Sequence, residues 1–247
     1  MALRSYADGA LFAEVLGEGS PRVLALHGWA RRGRDFAGAL EGIPAIAPDL
    51  PGFGASPAPA EVIGAGGYAE VVSDLLEEFE RPPVVLGHSF GGRVAVCLAS
   101  SRPDRVGPLV LTGVPLLRSA PARRPSRGYR LVRALNRWGI ISDDRLEEER
   151  KRRGSADYRA ASGVMRDILV KMVNEEYSQE LAGLRSEVLL VWGEEDAEVP
   201  VPIASEALRL METSGVLARL EIVPGVGHHL PLEAPWRLRQ AIESVLS

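Results

Sequence analysis

A single cysteine, Cys97, is all the chain offers for covalent cross-linking. One thiol forms no internal disulfide, which excludes a small disulfide-stapled secreted module and points to a reducing compartment. Long apolar runs are missing as well. No stretch approaches the roughly 18 apolar residues of a membrane span, and Asp8 and Glu14 interrupt the segment where a secretory leader would keep an unbroken apolar core. Excess positive charge is absent: the formal net charge is -4, so the protein carries no overall basic footprint for nucleic acid. Lysine is nearly absent, at Lys151 and Lys171 only, and arginine supplies the rest of the 29 basic residues. There are four histidines, His27, His88, His228 and His229, and neither a third partner at metal-ligand spacing nor a glycine-rich phosphate loop. No metal or cofactor is expected. What remains is 247 residues, 46% hydrophobic and 25% charged, an ordinary balance for one globular domain with a sizeable core, expected to be cytoplasmic.

Short apolar runs alternate with helical patterns. Leu3–Tyr6 and Leu11–Val15 read as a hairpin around Ala7–Gly9. Arg22–Leu26, Ile43–Ala47, Pro83–Leu86, Leu109–Leu111, Val188–Val191 and Ala218–Val223 read as strands, and Asp35–Leu40 as a short helix. Tyr68–Phe79, Gly91–Ser100, Ala204–Met211 and Trp236–Leu246 carry helical spacing or composition. This order implies βαβ units and a mostly parallel sheet covered by helices on both faces. From about Leu116 to Leu184 the alternation stops. The segment is amphipathic, with an apolar stripe at Val164, Met165, Ile168, Leu169, Met172 and Val173. It reads as a helical cap, residues 116–184, inserted between two late strands of a core formed by 1–115 and 185–247.

Gly87-His88-Ser89-Phe90-Gly91 follows an apolar strand and opens a helix. A strand-turn-helix of this kind holds its central residue in a sharp exposed turn at the sheet's carboxyl end, next to a helix N-terminus that favours developing negative charge. Ser89 is therefore the candidate nucleophile; the plainer alternative is a helix-capping serine. A serine nucleophile needs a general base. In this architecture the acid and then the base follow the nucleophile in chain order, which leaves His228 and His229. His228, in the loop leaving the last strand, is the candidate base, and its neighbour would point elsewhere. His88 should turn its ring away from the serine oxygen. Three carboxylates, Glu194, Glu195 and Asp196, end the strand Val188–Val191. Asp196, where the chain turns toward the next helix, is the candidate that orients the histidine; capping that helix is its alternative role.

His27-Gly28-Trp29, Asp49–Ser56, Gly87–Gly91, Trp192–Asp196 and Gly227-His228, in that order, resemble the landmarks of α/β-hydrolase fold enzymes along nearly the whole chain. The resemblance implies that fold and a triad of Ser89, Asp196 and His228. It also implies an oxyanion hole from the backbone N–H groups of Trp29 and Phe90, a structural His27 and a sheet-end turn at Asp49–Ser56. The implied activity is hydrolysis of a small or medium carboxylic ester or thioester through an acyl-enzyme. Carbon-carbon bond hydrolysis or cofactor-free perhydrolysis with the same triad, and ligand binding without catalysis, are the alternatives. The fold's epoxide hydrolases and dehalogenases use an aspartate nucleophile, where this chain has Ser89.

Seven arginines, Arg118, Arg123, Arg124, Arg127, Arg130, Arg133 and Arg137, fall in a stretch with no acidic residue. They read as a solvated cap surface or as a docking face for an anionic partner such as an acyl carrier protein. His27-Gly28-Trp29 with this basic stretch is similar to the pimeloyl-carrier methyl ester esterase branch, whose elbow has tryptophan where this chain has His88.

Overall fold

The computed structural model describes residues 2–117, 142 and 156–246. Eight strands form one sheet: β1 (Ala2–Tyr6), β2 (Leu11–Leu16), β3 (Val23–Leu26), β4 (Ala45–Asp49), β5 (Val84–His88), β6 (Leu109–Thr112), β7 (Val188–Gly193) and β8 (Ala218–Val223). Their order is β1-β2-β4-β3-β5-β6-β7-β8. The β1–β2 and β2–β4 pairs are antiparallel and the others parallel, the mostly parallel sheet expected from the alternation. Apolar runs such as Val23–Leu26 and Val188–Val191 are buried along their length, because helices cover both faces and leave no polar side for these strands.

On one face lie α1 (Ala65–Ser73), α2 (Phe90–Ser101) and α6 (Val201–Thr213), whose apolar residues join Leu24, Leu26, Val85 and Leu190 in one core. On the other, α8 (Pro235–Val245) and the stretch around Phe36 and Leu40 pack against Val23, Ala25, Leu86 and Val191. α7 (Leu230–Glu233) follows β8 and packs on this second face through Leu230.

Three short helices precede β7: α3 (Ala156–Ala160), α4 (Gly163–Met172) and α5 (Ser178–Ala182). Ile168 and Met172 of the expected apolar stripe are buried in the first core, while Val173 is exposed. The segment is tied down by Glu175, whose carboxylate accepts the Ala65 N–H at 3.0 Å and the Tyr177 hydroxyl at 2.8 Å. The arginine run from Arg118 to Arg137 and most of the segment expected as a cap lie outside the described residues.

Two helix expectations change. Asp35–Leu40 is not an α-helix; a 3-10 turn over Gly33–Phe36 stands in its place, with the Gly33 N–H drawn to the Asp49 carboxylate at 2.9 Å. Tyr68–Phe79 is divided into α1, which starts earlier, and a 3-10 turn at Asp74–Glu78. Asp74, Glu77 and Glu78 crowd this end of the segment, where negative charge opposes the helix dipole.

Candidate active site

The strand order reverses at β3: β4 lies on one side of it and β5 on the other. The crevice outside the carboxyl ends of strands at such a reversal is where open α/β sheets hold ligands. Leu26 of β3 pairs with Gly87 of β5, so the loop carrying Trp29 and the turn carrying Ser89 sit side by side there. The rings of Trp29 and Phe90 meet edge to face at 5.4 Å.

Ser89 joins β5 to α2 with φ 49° and ψ −113°, a left-handed φ that costs a side-chain-bearing residue of order 1–3 kcal/mol. The surroundings hold it there. Its N–H donates to the Thr112 carbonyl at 2.9 Å. A Cβ at Gly87 would fall 2.6 Å from Gly92 Cα, and one at Gly91 would collide with the Leu26 carbonyl; only glycine lets the turn close this tightly. The N–H groups of Trp29 and Phe90 make no hydrogen bond to the described residues.

Asp196 and His228 come from the loops after β7 and β8, adjacent strands. His228 Nδ1 lies 2.9 Å from Asp196 Oδ2. The other carboxylate oxygen accepts the N–H groups of Glu198 and Val199 at 2.9 and 2.8 Å, so Asp196 is buried with full hydrogen bonding. Burial raises its pKa, but the His228 hydrogen bond and those two N–H groups outweigh it and hold the carboxyl below its ordinary value. For His228, burial lowers the pKa; the hydrogen bond and charge of Asp196, with Glu198 and Glu233, turn the net shift upward. Glu194 and Glu195 are exposed, as is His229. Glu233 braces the loop by accepting the N–H groups of Gly227 and His229 at 2.7 and 3.1 Å.

Ser89 and His228 line one cavity of about 250 Å³ together with Trp29, Glu198 and His229. No hydrogen bond joins Ser89 Oγ to the His228 ring among the described residues; Nε2 faces Glu198 Oε2 at 3.6 Å.

The remaining histidines have structural contacts. His27 Nε2 accepts the Leu50 N–H at 2.8 Å, so its proton is on Nδ1, which donates to the Gly28 carbonyl at 2.7 Å. Burial lowers its pKa to about 4. It thereby ties the Trp29 loop to the Asp49–Ser56 turn, whose Asp49 carboxylate accepts the N–H groups of Gly33 and Ala55. His88 places Nε2 3.0 Å from the backbone oxygen of His228. Burial, then the neighbouring His228, lowers its pKa to about 3, so it stays neutral and donates.

Sequence reasoning did not find His88, Gly113 or Glu198 as parts of the site. Glu198 carried a faint signal, two residues beyond Asp196. Gly113 carried none: its closeness to His228 depends on the packing of β6 beside β7.

No group of three or more histidine, cysteine or acidic residues among the described residues could hold a metal ion. None of their helices is long and apolar enough to cross a membrane.

Comparison with known proteins adds a family. The sequence profile described as "Alpha/beta hydrolase family" matches residues 23–238. The chain is 35% identical over 169 residues to "Lipase LipV" of Mycobacterium tuberculosis, covering 67% of this chain and 59% of that protein. It is 42% identical over 106 residues to a pimeloyl-[acyl-carrier protein] methyl ester esterase of Chromobacterium violaceum, covering 41% of this chain and 39% of that protein. The match thus spans less than two thirds of either relative. Among solved structures, the fold is similar to an esterase from Exiguobacterium antarcticum, with a TM-score of 0.72, 19% identity, and 99% and 98% of the two chains covered.

Proposed function

The chain belongs to the alpha/beta hydrolase family, and from that premise we propose that it is a serine esterase in which Ser89 is the nucleophile, His228 the general base and Asp196 the group that orients it. The observation that carries this reading is the strained Ser89 turn at the sheet's switch point, sharing one cavity with His228, which is paired to the buried Asp196. The relatives named lipase and methyl ester esterase support ester hydrolysis as the reaction class.

Ser89 Oγ attacks the ester carbonyl carbon while His228 Nε2 takes its proton. Asp196 keeps the other ring proton on Nδ1 and stabilises the imidazolium that forms. The carbonyl oxygen becomes an oxyanion, and the N–H groups of Trp29 and Phe90 are the donors for it. Collapse breaks the bond to the alcohol oxygen, which receives the proton from Nε2 and leaves an acyl-Ser89. Water then attacks the acyl carbon as His228 Nε2 takes its proton; the bond from that carbon to Ser89 Oγ breaks, the carboxylic acid leaves, and Nε2 returns the proton to Oγ. The substrate is a small or medium carboxylic ester. A carrier-bound acyl chain is compatible with the Chromobacterium relative's name, and the arginine run from Arg118 to Arg137 is the candidate docking face for it.

A fluorophosphonate tests the assignment, since it reacts with activated serines. Wild type should be labelled and should hydrolyse p-nitrophenyl esters. Ser89→Ala should lose both, with turnover down by several orders of magnitude. Labelling or turnover that persists in the alanine variant would remove Ser89 from the mechanism.

A further inference from the structure

The leaving alcohol must pass close to His228 Nε2, because that nitrogen hands it a proton across about 2.6–3.2 Å. Charge around Nε2 is therefore charge felt by the alcohol's substituents. Glu198 Oε2 lies 3.6 Å from that nitrogen. Its side chain is 64% exposed, so the carboxylate stands at the cavity mouth rather than inside the fold. Asp157 of α3 lines the same cavity. Arg31, the one arginine among the described lining residues, is paired with Asp35 at 2.7 Å, so the two together add no net charge. The Asp196 charge is committed to His228 and two N–H groups.

Resting on the serine-esterase reading, we infer that the alcohol side of this site selects esters whose alcohol carries a positive charge, with Glu198 as the specificity-determining residue. The selectivity falls on the alcohol and not on the acyl chain, because Nε2 meets the leaving oxygen while the acyl group stays bonded to Ser89. A cationic amino-alcohol group beyond the ester oxygen would sit within a few ångströms of the Glu198 carboxylate, and an anionic one would be repelled. At a half-exposed mouth, a unit charge pair about 5 Å apart amounts to a preference of about three- to tenfold, reduced by salt.

Acetylcholine and 3,3-dimethylbutyl acetate share size and shape and differ in the charge on the alcohol. The full chain should be assayed on both at low salt, at a pH on the plateau of its activity. The readout is the ratio of their kcat/KM values within each variant, which cancels changes in the chemistry common to both esters. Wild type should favour the cationic ester about three- to tenfold. The ratio should fall toward one in Glu198→Gln and in high salt, and below one in Glu198→Lys. A wild-type ratio of one or less, or a ratio unchanged in both variants while the neutral ester is still hydrolysed, overturns the inference and leaves the esterase reading intact. If p-nitrophenyl esters are hydrolysed but neither of these two acetates is, the inference is overturned; if wild type hydrolyses no ester, or Ser89→Ala still hydrolyses them, the esterase reading fails and the inference with it.

Discussion

Gly113, just past β6, lies against the His228–Asp196 pair. A Cβ there would lie 2.9 Å from His228 Cε1, 3.0 Å from its Nδ1 and 3.3 Å from Asp196 Oδ2. Its φ of +59° adds strain for any side chain. Gly113→Ala therefore acts in two ways. Backbone strain costs about 1–2 kcal/mol, and in a domain of this size that lowers the melting midpoint by about 2–8 °C. Carbon contacts relax near 3.5–4.0 Å, so the imidazole must retreat by roughly half an ångström. Placement errors of about 1 Å cost on the order of 10²-fold in catalysis, so kcat should fall about ten- to a hundredfold. KM should change little, because the ring acts mainly in the transition state. Gly215→Ala separates the two effects. Gly215 has a φ of +82° and nothing within 4 Å of its Cβ position, so this variant should lose comparable stability and keep its kcat. Thermal melts and p-nitrophenyl ester kinetics on both variants decide the matter. A Gly113→Ala enzyme with wild-type kcat, or equal kcat losses in the two variants, would refute the argument that contact with the histidine is what matters.

His228 must be neutral to act as base, so activity should rise with pH through a midpoint above the ordinary histidine value of 6.5, read from a pH–rate profile. Asp196→Asn should move that midpoint down as well as lower kcat, because the carboxylate is what outweighs burial of the ring. The stability linkage has opposite signs for the two groups. The raised His228 pKa contributes stability fully present below 6.5 and lost as pH rises through the folded value. The lowered Asp196 pKa contributes stability present above 3.8 and lost as pH falls through its folded value. Melting midpoints across pH should show both slopes, and Asp196→Asn should flatten the acidic one. His88→Phe removes the donor to the His228 carbonyl and should cost about 1–3 kcal/mol for the unpaired buried oxygen. His88→Gln, which can still donate, should recover part of the stability and of kcat; failure of glutamine to outperform phenylalanine would mean the ring matters for its volume alone.

Which parts of this molecule were readable from sequence follows from how local their causes are. Glycines at 87 and 91 mark the Ser89 turn within five residues, and the approach that demands the first of them, to Gly92, lies in the same turn. The sheet was readable for the same reason: each buried strand is a run of consecutive apolar residues whose character does not depend on its partner. Failures occur where a distant residue supplies the cause. Gly66 and Gly67 discourage an early helix start, yet α1 begins at Ala65, where the carboxylate of Glu175, 110 positions away, accepts an orphan N–H of the first turn. Asp35 suggested a helix start, but the Gly33 N–H goes to Asp49 and a 3-10 turn results. The candidate site divides along the same line. Asp196 is preferred over Glu194 and Glu195 in the sequence because the chain turns toward the next helix just after it, while the two glutamates lie closer to the strand. Gly113, His88 and Glu198 touch His228 only once β5, β6, β7 and β8 lie side by side, and no spacing in the chain encodes that adjacency. These three set how the histidine is held and what charge surrounds its reactive nitrogen. Sequence landmarks therefore mark the residues proposed as the triad, while the residues that should tune their rate and choice of alcohol emerge from the packing of neighbouring strand ends.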